Sequence, residues 1–180
     1  RYLRDNGLLA WKEDQVPEVT EERHLGMARI SRHAFEMDWD RTRAFAATPS
    51  SNGIHVLPIG DEGGSDSNAE GRKALVEEII AKLAEVQSPT TGRPMVERVW
   101  KREEAFPGPH GSLAPDLTLS LWDGGLVSIL ASETAVRKRP EPVGVHRPEG
   151  IFVGVGPGFV EGRRTDAISL LDVAPLALHL

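Results

Sequence analysis

The sequence has no cysteine among its 180 residues, and this absence limits both its covalent and its metal chemistry. Disulfide bonds are excluded, and a metal ion would have to be held by histidine, aspartate or glutamate side chains. The absence is compatible with a reducing compartment such as the cytoplasm, where disulfides are rare. The six histidines are therefore the first residues to consider as metal ligands.

Positive charge and long apolar runs are also scarce. The formal net charge is −6, whereas nucleic-acid-binding proteins usually carry a basic face, so no nucleic acid polymer is expected as a partner. No run approaches the roughly 18 apolar residues of a membrane helix, and the start of the chain lacks the pattern of a signal peptide. The sequence begins inside a helical pattern that has no start signal, and it ends inside another helical pattern that has no cap. We therefore expect the chain to be a segment of a longer protein.

Three widespread catalytic motifs are missing from the sequence. It contains no His-Glu-x-x-His zinc motif, no phosphate-binding P-loop and no nucleophile elbow. The glycine-rich run at 154–158 resembles a dinucleotide-binding turn only superficially, because it contains Pro157 and no helical pattern follows it. The acidic loop at 61–66 lacks the ligand spacing of a calcium-binding loop. No local motif therefore assigns an activity.

The patterns that are present predict an α/β fold. A helix is predicted over 69–87, with one apolar face formed by Leu75, Ile79, Leu83 and Val86. Short strands are predicted near 44–46, 53–57, 96–102 and 114–122. Alternating strands and helices favour a layered architecture in which helices pack on a sheet. Near the N-terminus, Gly7 is predicted to form a left-handed helix cap.

Residues 131–148 are polar and contain three prolines, which predicts a long loop. Near the end of that loop stands a single histidine, His146, directly before an apolar run. The run predicts a buried strand and consists of Ile151, Phe152, Val153 and Val155. Loops held by rigid elements carry binding and catalytic residues disproportionately. His146 is therefore the strongest candidate for a functional imidazole.

The other five histidines have simpler structural interpretations. His24 and His33 lie in a charged helical pattern and are predicted to be solvated. His55 lies in a predicted strand, where a half-buried structural imidazole is expected. His110 stands in a Pro-Gly loop that could line a cleft, and His179 lies in a predicted terminal helix, where a packed or partly exposed side chain is expected.

Six short motifs follow one another along nearly the whole chain. They are Arg1-Tyr2-Leu3-Arg4-Asp5-Asn6-Gly7-Leu8-Leu9, Asp40-Arg41-Thr42-Arg43-Ala44-Phe45, Asn52-Gly53-Ile54-His55-Val56, Ala114-Pro115-Asp116-Leu117, Gly144-Val145-His146-Arg147-Pro148-Glu149-Gly150-Ile151-Phe152 and Ser169-Leu170-Leu171-Asp172-Val173-Ala174-Pro175. In this order they resemble motifs in the C-terminal part of a type I phosphodiesterase/nucleotide pyrophosphatase domain, of the alkaline phosphatase superfamily.

The resemblance implies a partial alkaline-phosphatase-like layered fold, with helices packed on a mixed sheet and residues 1–180 forming the C-terminal segment of one domain. In that family the histidine of the Gly-x-His motif is a metal ligand, and His146 occupies its position. The family's sites hold two divalent ions, usually zinc, beside a threonine or serine that is phosphorylated and then hydrolysed.

The resemblance also implies what this segment lacks. The family's nucleophile and its other metal ligands lie upstream of the position of Arg1, so no catalytic residue is expected within the segment. It would supply one metal ligand to a complete domain that acts on a phosphate-ester small molecule or a nucleotide. By itself it is expected to be inactive, because one imidazole cannot hold two metal ions or attack phosphorus.

Three alternatives stay open at the level of sequence. The parent protein could resemble the sulfatases, phosphonate hydrolases or mutases of the same superfamily, which the upstream nucleophile would distinguish. It could be a non-catalytic descendant that binds a partner through its α/β surface and the loop at 131–148. Finally, the chain could be an α/β domain in which His146 has only a structural role.

Overall fold

The structure is a computed structural model that describes residues 1–13, 33–48, 51–57, 66–129, 132–138, 144 and 149–179. The chain divides into two compact units, Arg1–Val145 and His146–Leu180. Within the described residues, the first unit carries a β-sheet with a long helix packed on it, and the second carries a short helical segment. The α/β class predicted from the sequence is thereby confirmed.

The first helix, α1 (Tyr2–Asp5), is closed by the glycine that the sequence indicated. Gly7 has φ +69°, a left-handed conformation that side chains with a Cβ rarely adopt. The N–H of Leu8 donates to the carbonyl of Leu3 at 2.8 Å, and the N–H of Gly7 donates to that of Arg4 at 2.9 Å. These two bonds satisfy the last carbonyls of the helix in a Schellman motif. The predicted cap at Gly7 is confirmed.

The described strands form one four-stranded sheet with the order β1-β2-β4-β3. The strands are β1 (Ala44–Phe45), β2 (Gly53–Val56), β3 (Val96–Lys101) and β4 (Leu117–Leu121). Ala44 pairs with Val56, Ile54 with Leu117 and Val99 with Leu119. All three of these strand pairings are antiparallel. The described sheet therefore differs from the mixed sheet that was expected.

The long helix α2 (Asp66–Ala84) covers this sheet. The buried residues Leu75, Ile79 and Leu83 form its inner face, as the helical spacing predicted, and Val86 is half-buried just beyond its end. Leu75, Ile79 and Leu83 join Ile54, Val56, Leu117 and Leu119 of the sheet in one apolar core. Burial of each such side chain contributes about 1.5–3 kcal/mol. Within the described residues, no helix has the length and apolar character needed to cross a membrane.

A short helix, α3 (Arg102–Ala105), follows β3 directly. Its first turn is stabilised by Glu104, whose carboxylate accepts from the backbone N–H of Lys101 at 3.0 Å. The chain then passes through a single helical turn at Gly111–Leu113 before it enters β4. This connection places Arg102 and the Ala-Pro-Asp motif at the same end of the sheet, since Arg102 follows β3 and Asp116 precedes β4.

The second unit is described over residues 149–179, and its helix α4 (Val173–His179) follows a helical turn at Leu170–Asp172. The turn begins at a capping box. The Oγ of Ser169 accepts from the N–H of Leu171 at 3.2 Å, and the carboxylate of Asp172 accepts from the N–H of Ser169 at 2.9 Å. Both orphan donors at the start of this turn therefore find local partners.

The buried strand predicted at Ile151–Val155 is wrong for the described residues. No strand is assigned at 149–155, and the side chains of Ile151 and Val155 are 95% and 91% exposed. A strand needs a neighbouring strand that takes up its backbone N–H and C=O groups. Within the described part of the second unit no strand pairs with this run, so its β-branched composition alone does not produce one.

Candidate functional site

The predicted metal ligand His146 lies outside the residues that the structure describes, as do its neighbours at 145–148. Its flanking residues Gly144, Glu149 and Gly150 are described and are exposed. The predicted long loop at 131–148 is described only at 132–138 and 144. The assignment of His146 as a metal ligand therefore stays a prediction.

The remaining five histidines have different surroundings where the structure describes them. His24 lies outside the described residues, while His110 and His179 are exposed. Among the described residues, no group of three histidine, aspartate or glutamate side chains lies close enough together to hold a metal ion.

His33 was predicted to be solvated, and this is wrong because its side chain is only 7% exposed. Its ring packs edge-on against the indole of Trp11, with 5.1 Å between centroids. Burial lowers the pKa of His33, and a hydrogen bond with the backbone of Ala46 opposes that shift only partly. Its Nε2 has no hydrogen-bond partner among the described residues. Burying an unpaired nitrogen costs free energy, and protonation of the ring would increase that cost.

His55 is half-buried in β2, as predicted. Its ring stacks on Phe45 of the neighbouring strand at 5.2 Å, and Phe45 in turn meets Trp39 edge-on at 5.1 Å. Burial lowers the pKa of His55, the negative charge of Asp116 raises it, and the guanidinium groups of Arg102 and Arg72 lower it further. His55 therefore lies in the field of a charged cluster centred on Asp116.

Asp116 is 7% exposed and lies at the centre of that cluster. Its Oδ1 accepts from Nε and Nη2 of Arg72 at 3.0 and 2.7 Å, and from Nη2 of Arg102 at 2.9 Å. Its Oδ2 accepts from the N–H of Val56 at 2.7 Å. A buried carboxylate is tolerated where its charge is paired and its oxygens are hydrogen-bonded, and this site meets both conditions.

Each group in the Asp116 cluster comes from a different element. Arg72 lies on α2, Val56 ends β2, and Arg102 is the first residue of α3. Arg102 makes two further hydrogen bonds to the Ala-Pro-Asp motif. Its side-chain Nε donates to the carbonyl of Ala114 at 3.0 Å, and its backbone N–H donates to the carbonyl of Asp116 at 2.9 Å. The motif therefore joins two helices and one strand into a fixed arrangement.

The chemistry open to Asp116 follows from these contacts. Four N–H donors bind its two oxygens, so the carboxylate acts in this arrangement as a charge-paired hydrogen-bond acceptor. Its function here is to position β2 against α2 and α3. Asp116 is accordingly a structural residue of the described fold.

Sequence reasoning did not find Arg72 or Arg102. The Ala-Pro-Asp motif pointed to Asp116 alone, and Arg72 stands 44 positions away from it. No local periodicity connects a helix residue to a carboxylate at that separation. The only available signal was the motif itself, because an aspartate directly before an apolar strand needs partners if it is buried.

Family models, curated proteins and solved structures were each compared with the chain, and none of them matches. The α/β class of the chain therefore rests on the structure itself. The resemblance to phosphodiesterases rests on the six ordered motifs alone and stays a prediction.

Proposed function

We propose that the chain is a segment of a metal-dependent phosphohydrolase of the phosphodiesterase/nucleotide pyrophosphatase type, in which His146 is one ligand of a site for two divalent ions. The observation that carries this proposal is the order of six motifs along nearly the whole chain. Zinc is the proposed metal, and a phosphate ester or nucleotide is the proposed substrate of the complete domain. The proposal includes an alkaline-phosphatase-like layering for that domain.

The positions of the motifs in the fold support the proposal. Residues 1–9 form α1 and its cap, residues 40–45 lead into β1, and residues 52–56 contain β2. Residues 114–117 lead into β4, and residues 169–175 begin the capped helical segment. Five of the six motifs thus coincide with strands, helices or their ends, which is the expected result if they are parts of one inherited fold.

The exposed apolar surface of residues 149–179 is consistent with a segment of a larger domain. Ile151, Val155, Leu170 and Leu178 are 95%, 91%, 86% and 90% exposed. Removing a large apolar side chain from water stabilises a protein by about 1.5–3 kcal/mol. Contiguous patches of exposed apolar side chains usually mark contact surfaces. Thirty-one residues are too few to enclose these side chains by themselves, so polypeptide outside this stretch would have to cover them.

The donor chemistry of His146 fits the proposed metal. A neutral imidazole is a common zinc ligand, and zinc in catalytic sites has about three protein ligands. His146 would supply one of them, and the others would come from polypeptide that precedes this chain in the complete domain. When bound, the two ions would polarise a phosphoryl oxygen and neutralise developing charge.

The test is made in the longer parent protein by replacing His146 with alanine. We expect metal-to-protein stoichiometry, measured by plasma mass spectrometry, to fall by about one of the two ions, and hydrolysis of bis(p-nitrophenyl) phosphate to fall by about 100-fold or more. His110→Ala is the matched control, since His110 is exposed on a loop, and it should retain both properties. Unchanged metal content and activity in His146→Ala would exclude His146 from the site.

Two further measurements distinguish the alternatives. The 180-residue chain with added Zn²⁺ should not hydrolyse the phosphodiester, and measurable turnover would contradict its assignment as an incomplete segment. The parent protein should prefer the phosphodiester to p-nitrophenyl sulfate, whereas the reverse preference would indicate a sulfatase-like enzyme. A parent protein that binds no metal and hydrolyses neither ester would instead be a binding module.

A further inference from the structure

A groove with a volume of about 580 Å³ opens on the surface of the first unit. It is lined by Arg4, Gly7, Leu9, Ala10, Trp11 and Arg41. The volume lies within the range of sites that hold small molecules, about 300–1,000 Å³. The lining residues combine two guanidinium groups and one indole, and those that the structure describes include no carboxylate.

The backbone that forms the groove is held firmly by the neighbouring segment. The carbonyl of Leu8 accepts from the N–H groups of Arg43 and Ala44 at 2.8 and 2.9 Å. The buried hydroxyl of Thr42 accepts from the N–H of Ala10 and donates to its carbonyl, both at 3.2 Å. A site built in this way loses little conformational freedom when a ligand enters, because its walls are already ordered.

The orientation of the Trp11 indole is also fixed by neighbouring residues. It packs edge-on against the buried ring of His33, and the backbone of Trp11 forms an antiparallel bridge with Met37, which is 1% exposed. The side chain is half-buried and contributes to the groove. An indole held in one orientation offers a flat surface on which another planar ring can stack.

The two arginines come from different segments, and their acidic partners among the described residues are loose. The Nε of Arg4 lies 3.6 Å from Oδ1 of Asp5, and Nη1 of Arg41 lies 3.8 Å from Oδ2 of Asp38. Charge-assisted hydrogen bonds are about 2.7–2.9 Å long, so neither contact is a tight one. Asp5 makes its short contact with Arg1 instead, at 2.6 Å. With respect to the residues that the structure describes, both guanidinium groups of the groove therefore retain donors for an incoming anion.

We infer that this groove is a binding site for a small aromatic anion, that is, a planar ring that carries a phosphate or a carboxylate. The guanidinium groups of Arg4 and Arg41 would hold the anionic group through paired N–H donors, because their planar geometry matches that of phosphate and carboxylate oxygens. The indole of Trp11 would stack on the ring. The site belongs to the first unit alone and does not depend on the proposed role of His146.

The test is calorimetric titration of the 180-residue chain with four probes: phenyl phosphate, benzoate, inorganic phosphate and phenol. We expect phenyl phosphate or benzoate to bind at least about tenfold more tightly than either phenol or inorganic phosphate, since only these two probes carry both recognised groups. Which of the two binds more tightly identifies the preferred anion. No saturable binding of either probe below about 10 mM would overturn the inference, as would equally tight binding of inorganic phosphate or phenol.

Variants assign the binding to the groove. Arg4→Gln and Arg41→Gln should each weaken the preferred probe about tenfold or more, and Trp11→Ala should remove its advantage over the inorganic anion. Trp11→Phe keeps an aromatic ring and should retain most of the affinity. Arg98→Gln is the control, because Arg98 already lies over the ring of Trp100, 4.9 Å from its centroid. Wild-type affinity in both Arg4→Gln and Arg41→Gln would overturn the inference.

Discussion

The carboxylate of Asp116 accepts a 2.7 Å hydrogen bond from the backbone N–H of Val56, a residue 60 positions earlier in the chain. Val56 is 2% exposed and Asp116 is 7% exposed, so both groups are removed from water. A buried N–H without a hydrogen-bond partner would lower stability by about 1–3 kcal/mol. The backbone pairing of β2 with β4 ends before Val56, and the carboxylate of Asp116 takes the place of the missing strand partner. The second carboxylate oxygen then holds Arg72 and Arg102.

Replacing Asp116 with asparagine should destabilise the chain, because the shape is kept while the charge shared by two arginines is lost. The free energy of unfolding should fall by roughly 2–3 kcal/mol, less than for a fully buried ion pair, since the side chains of Arg72 and Arg102 are 36% and 21% exposed. Urea unfolding followed by circular dichroism measures this change. The exposed Asp123→Asn variant should change stability by less than about 0.5 kcal/mol, and equal effects of the two variants would contradict the role of Asp116.

Two glycines of the first unit should respond to alanine in opposite directions. A Cβ on Gly53 would lie 2.7 Å from Cγ and 2.9 Å from Cβ of Pro115, so Gly53→Ala should cost about 1–3 kcal/mol of stability. At Gly71, within α2, a Cβ meets no described atom within 4 Å. Gly71→Ala should therefore stabilise the helix by about 0.5–1 kcal/mol. Thermal unfolding of both variants checks the prediction, and a lower melting temperature for Gly71→Ala than for Gly53→Ala would refute it.

Two threonines, the buried Thr42 and the half-buried Thr118 with its buried hydroxyl, should likewise differ when replaced by valine. The hydroxyl of Thr118 in β4 has no hydrogen-bond partner among the described residues, so Thr118→Val should leave stability unchanged or raise it by about 1 kcal/mol. Thr42 is 3% exposed, and its hydroxyl bonds to both backbone groups of Ala10. Thr42→Val should therefore cost about 1–3 kcal/mol. Chemical denaturation of the pair measures the contrast, and a stability loss at Thr118 as large as that at Thr42 would show that its hydroxyl is paired.

Stability should fall in mildly acidic solution because of His33. Burial lowers the pKa of His33 in the folded chain, so below about pH 6.5 the unfolded chain binds more protons than the folded chain. The contribution of the neutral His33 side chain to the free energy of unfolding is complete above about pH 6.5. It is lost as the pH falls from there through the lower pKa that His33 has in the folded chain. The loss amounts to about 1.4 kcal/mol for each unit by which the folded and unfolded pKa values differ. Melting temperatures between about pH 7.5 and pH 5 should show this decline.

Variants attribute the decline to His33. His33→Phe retains a ring against Trp11 but does not titrate, so its melting temperature should decrease less over the same pH range. The exposed His110→Gln variant should follow the wild-type curve. If His33→Phe and the wild-type chain lost stability equally, the buried imidazole would not be the source of the pH dependence. His55, whose pKa burial also lowers, would then be the next variant to measure.

Some features of the candidate site could be inferred from the sequence and others could not. The motif Ala114-Pro115-Asp116 drew attention to Asp116, and the strand pattern around His55 predicted its half-burial, which is confirmed. The charged helical pattern around His33 predicted solvation, which is wrong because Trp11 and the segment near Ala46 cover the ring. Those covering groups are distant in sequence, so no local pattern could identify them. The proposed metal ligand His146 depends on the motif series alone.

What the sequence determined by itself about this chain is its local structure. The cap at Gly7, the capping box at Ser169 and the buried face of α2 each depend on residues within about four positions of one another, and hydrogen bonding and helical periodicity act at that range. The tertiary structure alone decided the strand order β1-β2-β4-β3, the pairing of Asp116 with two arginines and the groove shared by Arg4 and Arg41. These features join distant residues, because burial and charge pairing depend on which surfaces meet after the chain has folded.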